Sequence, residues 1–209
     1  MIPSSFTPRR SPLRRAATCL ITWIALLAVA EPAHATVAPY MGLEDMERGG
    51  EVIVVGSVET ADSGWSEDGR LIVTRITVKV DRALKGGPRQ TVTFEVPGGT
   101  IDGQTLVASG APIFHKGERV VLFLDRGGAV EERLGVVGWN QGRFAIERDP
   151  RTHRDLVRQP GGGTLYVDAQ GRPAHRDPQL AGPRELGDFL SEIEGLVAEG
   201  AAARGQGHP

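Results

Sequence analysis

Between Leu71 and Leu84 the chain alternates with a period of two. Ile72, Thr74, Ile76, Val78 and Val80 fall on one side, and Arg75, Thr77, Lys79 and Asp81 on the other. Successive side chains of a strand point to opposite faces, whereas a helix would scatter this pattern around its axis. The segment is therefore expected to be a strand with one face buried and one wet. It is longer than the usual strand of about five or six residues, so a strong twist or bend is expected as well.

The same logic places further strands. Val52 to Val58 is an apolar, β-branched run and reads as a buried strand. Thr91 to Val96 puts Val92, Phe94 and Val96 inward. Arg119 to Asp125 is apolar on both faces, the mark of a central strand covered on both sides. Leu134 to Trp139 and Arg143 to Glu147 read as a pair joined through Asn140-Gln141-Gly142. A weaker hairpin is expected with Leu156-Val157 facing Leu165-Tyr166-Val167 across Pro160-Gly161-Gly162-Gly163. Lys85-Gly86-Gly87-Pro88, Pro97-Gly98-Gly99 and Arg126-Gly127-Gly128 supply turns. Between 97 and 118 lies an excursion with a short extended piece at Thr105–Ala108. Helical spacing appears twice: in a short turn over 42–49, with Leu43 and Met46 on one face, and near the end, where Leu186, Phe189, Leu190, Ile193, Leu196 and Val197 recur. Pro183 fits the first turn of that last helix and Gly200 its stop.

Many antiparallel strands, no βαβ alternation and a terminal helix predict a mainly β fold: a small antiparallel OB-like β-barrel with a short N-terminal helical turn and a C-terminal amphipathic helix. The expected layout is a barrel over 36–150, a hairpin extension or linker over 151–182, the helix over 183–200 and a disordered tail over 201–209.

Residues 1–35 are of another kind. Arg9, Arg10, Arg14 and Arg15 precede an apolar run from Ala16 to Ala30, and Ala33-His34-Ala35 offers small residues for cleavage. This reads as a secretory signal peptide removed after Ala35, and it predicts a secreted or periplasmic product. Of 24 basic and 26 acidic residues, four arginines and Glu31 lie in that segment, so the mature chain is mildly acidic. A surplus of Lys and Arg is what binds phosphate backbones, and it is absent, which argues against nucleic acid. No later run approaches the roughly 20 apolar residues of a membrane span. The single cysteine, Cys19, lies inside the signal, so the mature domain is expected to be cysteine-free.

The order of these pieces resembles a group of exported bacterial proteins of uncharacterised function. The resemblance is carried by Val52-Ile53-Val54-Val55-Gly56-Ser57-Val58, by Ala83-Leu84-Lys85-Gly86, by Val96-Pro97-Gly98-Gly99, by Gly110-Ala111-Pro112-Ile113-Phe114 with Gly117-Glu118-Arg119-Val120, and by Gln141-Gly142-Arg143-Phe144. It spans about residues 42–147. The barrel of that group is similar to the netrin-like modules, the structural class of the tissue inhibitors of metalloproteinases. In those inhibitors, the likeness implies, a disulfide-pinned N-terminal cysteine chelates the protease zinc through its α-amino group and carbonyl. Here Thr36 and Val37 occupy that place, with no cysteine to pin them.

Catalytic constellations are sparse. None of the histidines forms a His-x-His or His-x-x-x-His pair, so metal binding has no local signature, and no cofactor is expected. Ser63, Ser66 and Ser109 lack a Gly-x-Ser-x-Gly elbow. The glycine clusters follow or join strands and read as turns rather than phosphate cradles. Paired acids such as Glu131-Glu132 read as solvated turns. Trp65, in the polar stretch Asp62 to Gly69, reads as a loop aromatic that either anchors a contact or folds over the barrel mouth; Trp139 reads as mainly core.

These observations predict a non-enzymatic exported binding domain whose partner is an extracellular protein, a metallopeptidase inhibitor or accessory protein among the options, with Thr36, Val37 and Trp65 as contact residues. A glycan-binding envelope or matrix module using Trp65 is one alternative. An enzyme using His115 with Asp102 or Glu118 in the 97–118 excursion is another.

Overall fold

The computed structural model describes residues 36–126, 133–161, 164–174 and 177–205. The signal-peptide reading of 1–35, together with Gly127-Gly128, Glu131-Glu132, His175 and His208, lies outside those residues.

Among the described residues twelve strands and three helices run in the order β1 (Thr36–Pro39), α1 (Leu43–Gly49), β2 (Val52–Trp65), β3 (Ile72–Lys85), β4 (Thr91–Pro97), β5 (Gly99–Ile101), β6 (Gln104–Leu106), β7 (Arg119–Asp125), β8 (Gly135–Val136), β9 (Arg143–Arg148), β10 (Asp155–Arg158), β11 (Thr164–Val167), α2 (Pro178–Ala181), β12 (Arg184–Glu185) and α3 (Leu186–Gly205). Eight of the strands form one sheet in the order β12-β10-β9-β7-β2-β3-β4, with β8 on the same edge of β7 as β9. Every pairing in it is antiparallel. The fold is mainly β with antiparallel sheets and a C-terminal helix.

Strand β7 is apolar from Val120 to Leu124 because both of its faces are covered there. Val120, Leu122 and Leu124 join Val54, Ile76, Val78, Phe94 and Phe114 in one core. Val121 and Phe123 join Leu43, Met46, Phe144, Phe189 and Ile193 in the other, beneath α1 and α3. The inward positions expected for β4, Val92, Phe94 and Val96, are all buried. The bend expected of the long strand takes the form of three register shifts between β2 and β3, at Ile53/Val54, Val55/Gly56 and Val58/Thr60.

Several expectations are corrected. Strand β2 does not stop near Val58; it continues to Trp65, paired with β3 as far as Trp65 opposite Ile72. Its second half is polar because it projects beyond the packed core, not because it is a loop. The segments 134–139 and 143–147 do not pair with each other. Strands β8 and β9 both pair with β7, and the chain between them leaves that edge at Val137, whose N–H donates to Phe123 O (3.0 Å), and returns at Gly142, whose O accepts from Phe123 N (2.8 Å).

The expected 156–157/165–167 hairpin is not formed either. Strand β10 lies between β9 and β12, with Val157 buried against the helix-side core, while β11 pairs in parallel with β1, Val37 opposite Leu165. The last helix begins after Pro183, at Leu186, and runs through Gly200 to Gly205, so residues 201–205 are helical rather than a disordered tail. Its expected face is the packed one: Phe189, Leu190 and Ile193 are buried against the sheet.

Candidate functional site

The 97–118 excursion folds into the β5–β6 hairpin and a loop that returns to β7. Asp102 and Gly103 form the hairpin tip, both at positive φ (50° and 75°). The hairpin is tied to the projecting ends of β2 and β3. The Thr74 hydroxyl donates to Gly98 O at 2.7 Å and lies 3.2 Å from Ser63 Oγ. Only glycine fits at 99, where φ is 139° and a Cβ would overlap Ser63 and approach Thr74 Oγ1 to 2.8 Å. On the core side Phe114 packs edge-on against Phe94, with centroids 5.2 Å apart.

Between the hairpin, the strand ends and the 107–114 loop lies a cleft of about 360 Å³. Its lining is apolar, Phe114 included, with a few hydroxyls from Ser63, Thr74, Thr100 and Thr105, and contains no ionisable side chain. At its rim Val107 is 81% exposed and Ile113 71% exposed. Aliphatic groups this exposed, lining one uncharged cleft, lose water favourably when covered.

The residues singled out from sequence fall in different places. Glu118 is ion-paired with Arg143, whose guanidinium also lies over the Phe114 ring at 5.0 Å. His115 is exposed and meets Glu118 through its backbone N–H, 3.2 Å from Oε2, rather than through its imidazole. Asp102, at the hairpin tip, makes no hydrogen bond or ion pair with either of them. Trp65 ends β2 and is 41% exposed. Val37, on β1, is exposed beside Leu165.

Cysteine does not pin the segment 36–41; Gln141 does. Its side-chain oxygen accepts from Met41 N (2.8 Å) and its side-chain nitrogen donates to Pro39 O (2.8 Å) and Gly138 O (3.2 Å), all with the residue 1% exposed. The loop carrying Gln141 holds Gly138 and Trp139 at positive φ, 61° and 72°. For a bulky aromatic that conformation is strained and is kept only because the surroundings dictate it. Here the Trp139 indole donates to Ser109 O at 3.1 Å, linking this loop to the one that rims the cleft.

Sequence reasoning passed over Glu95 as well. It alternates with the inward apolar positions of β4, yet its side chain is 2% exposed beneath Arg75, which donates to Oε1 from Nε (3.0 Å) and Nη2 (2.6 Å). Arg133 reaches the same oxygen at 3.4 Å and bridges onward to Glu67 at 2.5 Å. Arg75 stands directly opposite Glu95 in the β3–β4 ladder, so the register, once known, points to the pair.

Among the described residues no group of three or more His, Cys, Asp or Glu side chains is placed to hold a metal ion. None of the described helices is long and apolar enough to cross a membrane. No family profile matches the chain, and no curated protein matches it.

Proposed function

We propose that this chain is an exported, non-enzymatic binding domain that recognises a protein partner through the uncharged cleft beside the β5–β6 hairpin. The observation that carries the reading is the pair Val107 and Ile113, exposed at the rim of that cleft on a loop whose Ser109 carbonyl is tied to the Trp139 indole. Preorganised apolar groups of this kind bind with less loss of conformational freedom than a mobile loop would.

The OB-like barrel belongs to the same proposal. Its support is that β4, β3, β2, β7 and β8 follow one another around the Val54–Phe94–Leu122 core, and that β4 meets the residue just before β8 through a backbone hydrogen bond, Glu95 N to Leu134 O at 3.1 Å. An extracellular metallopeptidase is the partner class that the netrin-like resemblance suggests. Supporting it, strand β1 begins at Thr36 and is paired along its length with β11, so a chain cleaved after Ala35 would start on a fixed strand.

The test measures inhibition of a panel of zinc metallopeptidases by chains starting at Thr36, by chains carrying one extra N-terminal residue, and by a Val107→Asp/Ile113→Asp variant. Inhibition lost only with the extra residue assigns the contact to the α-amino group. Inhibition lost only in the double variant assigns it to the cleft. Absence of inhibition in all three removes the peptidase form of the reading.

A further inference from the structure

An aspartate rearranges most readily when glycine follows it, because glycine puts no side chain beside the attacking backbone nitrogen. The chain contains this dipeptide twice, at Asp68-Gly69 and at Asp102-Gly103. All four residues are exposed, and a Cβ placed on either glycine would meet nothing within 4 Å, so access does not separate the two sites. Hydrogen bonding does. Asp68 Oδ1 accepts from Ser66 Oγ at 2.6 Å and from Arg70 N at 3.1 Å, and Gly69 N–H donates to Ser66 O at 2.8 Å. The Ser66 hydroxyl above all holds the Asp68 carboxyl below its ordinary value of 3.8, whereas the rearrangement consumes the neutral acid. Asp102 and Gly103 form the tip of the β5–β6 hairpin, beyond the last pair of its ladder, Ile101 opposite Gln104. Both lie in the left-handed region, with φ of 50° and 75°. Among the described residues, neither the Asp102 carboxylate nor the Gly103 N–H has a hydrogen-bonding or ionic partner.

We propose that Asp102-Gly103 is a site of spontaneous isoaspartate formation, and that the fold directs the reaction there and away from Asp68-Gly69. The Gly103 nitrogen attacks Asp102 Cγ. A C–N bond forms, the bond from Cγ to its hydroxyl breaks, and the hydroxyl leaves with the amide proton as one water. Hydrolysis of the five-membered imide then takes up one water. Opening at Cγ returns aspartate; opening at the main-chain carbonyl leaves isoaspartate, with the chain running through the former side chain. To bring nitrogen and Cγ together the turn rotates about the Asp102 Cα–C bond. At Asp102 no hydrogen bond of either reacting group has to break first, while at Asp68 three do. The product carries one more main-chain carbon in a turn whose length fixes the register of the ladder, beside Thr100 and Thr105 of the hairpin cleft. The chemistry does not depend on what that cleft binds, so failure of either proposal leaves the other in place.

The experiment incubates the chain at neutral pH, folded and in concentrated urea, until both Asp-Gly peptides of the urea sample carry isoaspartate. The isobaric forms are separated by peptide mapping with electron-transfer fragmentation, and total isoaspartate is read by methyl transfer from labelled S-adenosylmethionine with an isoaspartyl methyltransferase. In the folded chain the peptide containing Asp102 is expected to carry at least about tenfold more isoaspartate than the one containing Asp68, the scale set by a charge-assisted hydrogen bond. In urea the two peptides should react at similar rates. A folded chain left unmodified at Asp102, or modified equally at both sites, would overturn the proposal. So would a preference for Asp102 that persists undiminished in urea, since the local sequence and not the fold would then set it.

Discussion

The side-chain amide of Gln141 grips the main chain on both sides of Tyr40, accepting from Met41 N and donating to Pro39 O, each at 2.8 Å. A hundred residues of sequence separate the partners, and nothing covalent joins them. Replacing Gln141 with Ala takes the partner from a part-buried N–H and carbonyl that can regain water in part, so the cost lies toward the lower end of the about 1–3 kcal/mol typical of a buried group left unpaired. The expected result is a lowered urea midpoint together with faster amide exchange confined to residues 36–41. An unchanged exchange pattern would mean that pairing with β11 alone holds the segment.

Glu95→Ala is expected to be among the most disruptive single changes in the sheet. It strips Arg75 and Arg133 of a shared carboxylate and opens space under β4. Breaking a buried ion pair typically costs about 3–5 kcal/mol, and the lower end applies because Arg75 is half exposed and can regain water. Chemical denaturation of Glu95→Ala and of Arg75→Ala measures the asymmetry. The arginine variant should lose less, since Arg133 still faces the carboxylate.

How much of this was legible beforehand depends on the range of the interaction. The two-residue alternation of β3 and β4 and the doubly apolar β7 follow from side-chain burial, which a local window records. The second half of β2 was not legible, because Ser63 and Trp65 are paired yet lie outside the core, and the polarity that normally signals a loop here signals an edge. Pairing partners were the least visible. The β1–β11 ladder joins residues more than a hundred positions apart in a parallel register, and no local pattern encodes such a choice. The hairpin cleft and the Glu95 ion pair were hidden for the same reason: Val107 and Ile113 look like ordinary core residues until the chain around them is placed, and Glu95 looks solvated until Arg75 is set across from it.

Helix α3 is stable only as part of the sheet. Phe189 is fully buried, its ring centre 4.8 Å from that of Phe144, with the Arg184 guanidinium over its ring at 5.2 Å. Truncation to Ala should cost about 3–5 kcal/mol. Because Gly187, Gly195 and Gly200 weaken the helix intrinsically, its circular dichroism should fall along with the tertiary signal. A helix that persists after Phe189→Ala has lost its main anchor would show that local propensity holds it.

Gly99→Ala tests the seat of the hairpin. The added methyl would overlap Ser63 at a φ of 139°, so both sterics and backbone oppose it. Pairing it with Ser63→Gly removes the overlap with Ser63 but leaves the 2.8 Å approach to Thr74 Oγ1 and the backbone strain. The double variant should therefore recover part, and not all, of the lost stability in thermal denaturation. Full recovery would show that contact alone, and not conformation, demands glycine there.

The acid limb of the stability curve should carry a contribution from β10. A hydrogen bond from Arg119 at 2.8 Å, with the Arg148 guanidinium also near, holds the Asp155 carboxyl below its ordinary value of 3.8. A depressed carboxyl stabilises the fold fully above the unfolded-state value, and that stabilisation is lost as pH falls through the lower, folded-state value. Urea midpoints of the wild-type chain should therefore drop more steeply below pH 3.8 than those of Asp155→Asn, while above it the variant is uniformly less stable. Asp68, Asp149 and Asp168 are held down too, by the Ser66 hydroxyl and by the backbone N–H groups of Arg151 and Arg172 respectively, so the variant removes one share of the acid sensitivity and not the whole. Parallel curves for the two proteins would show that Arg119 and Asp155 are too solvated to couple to folding.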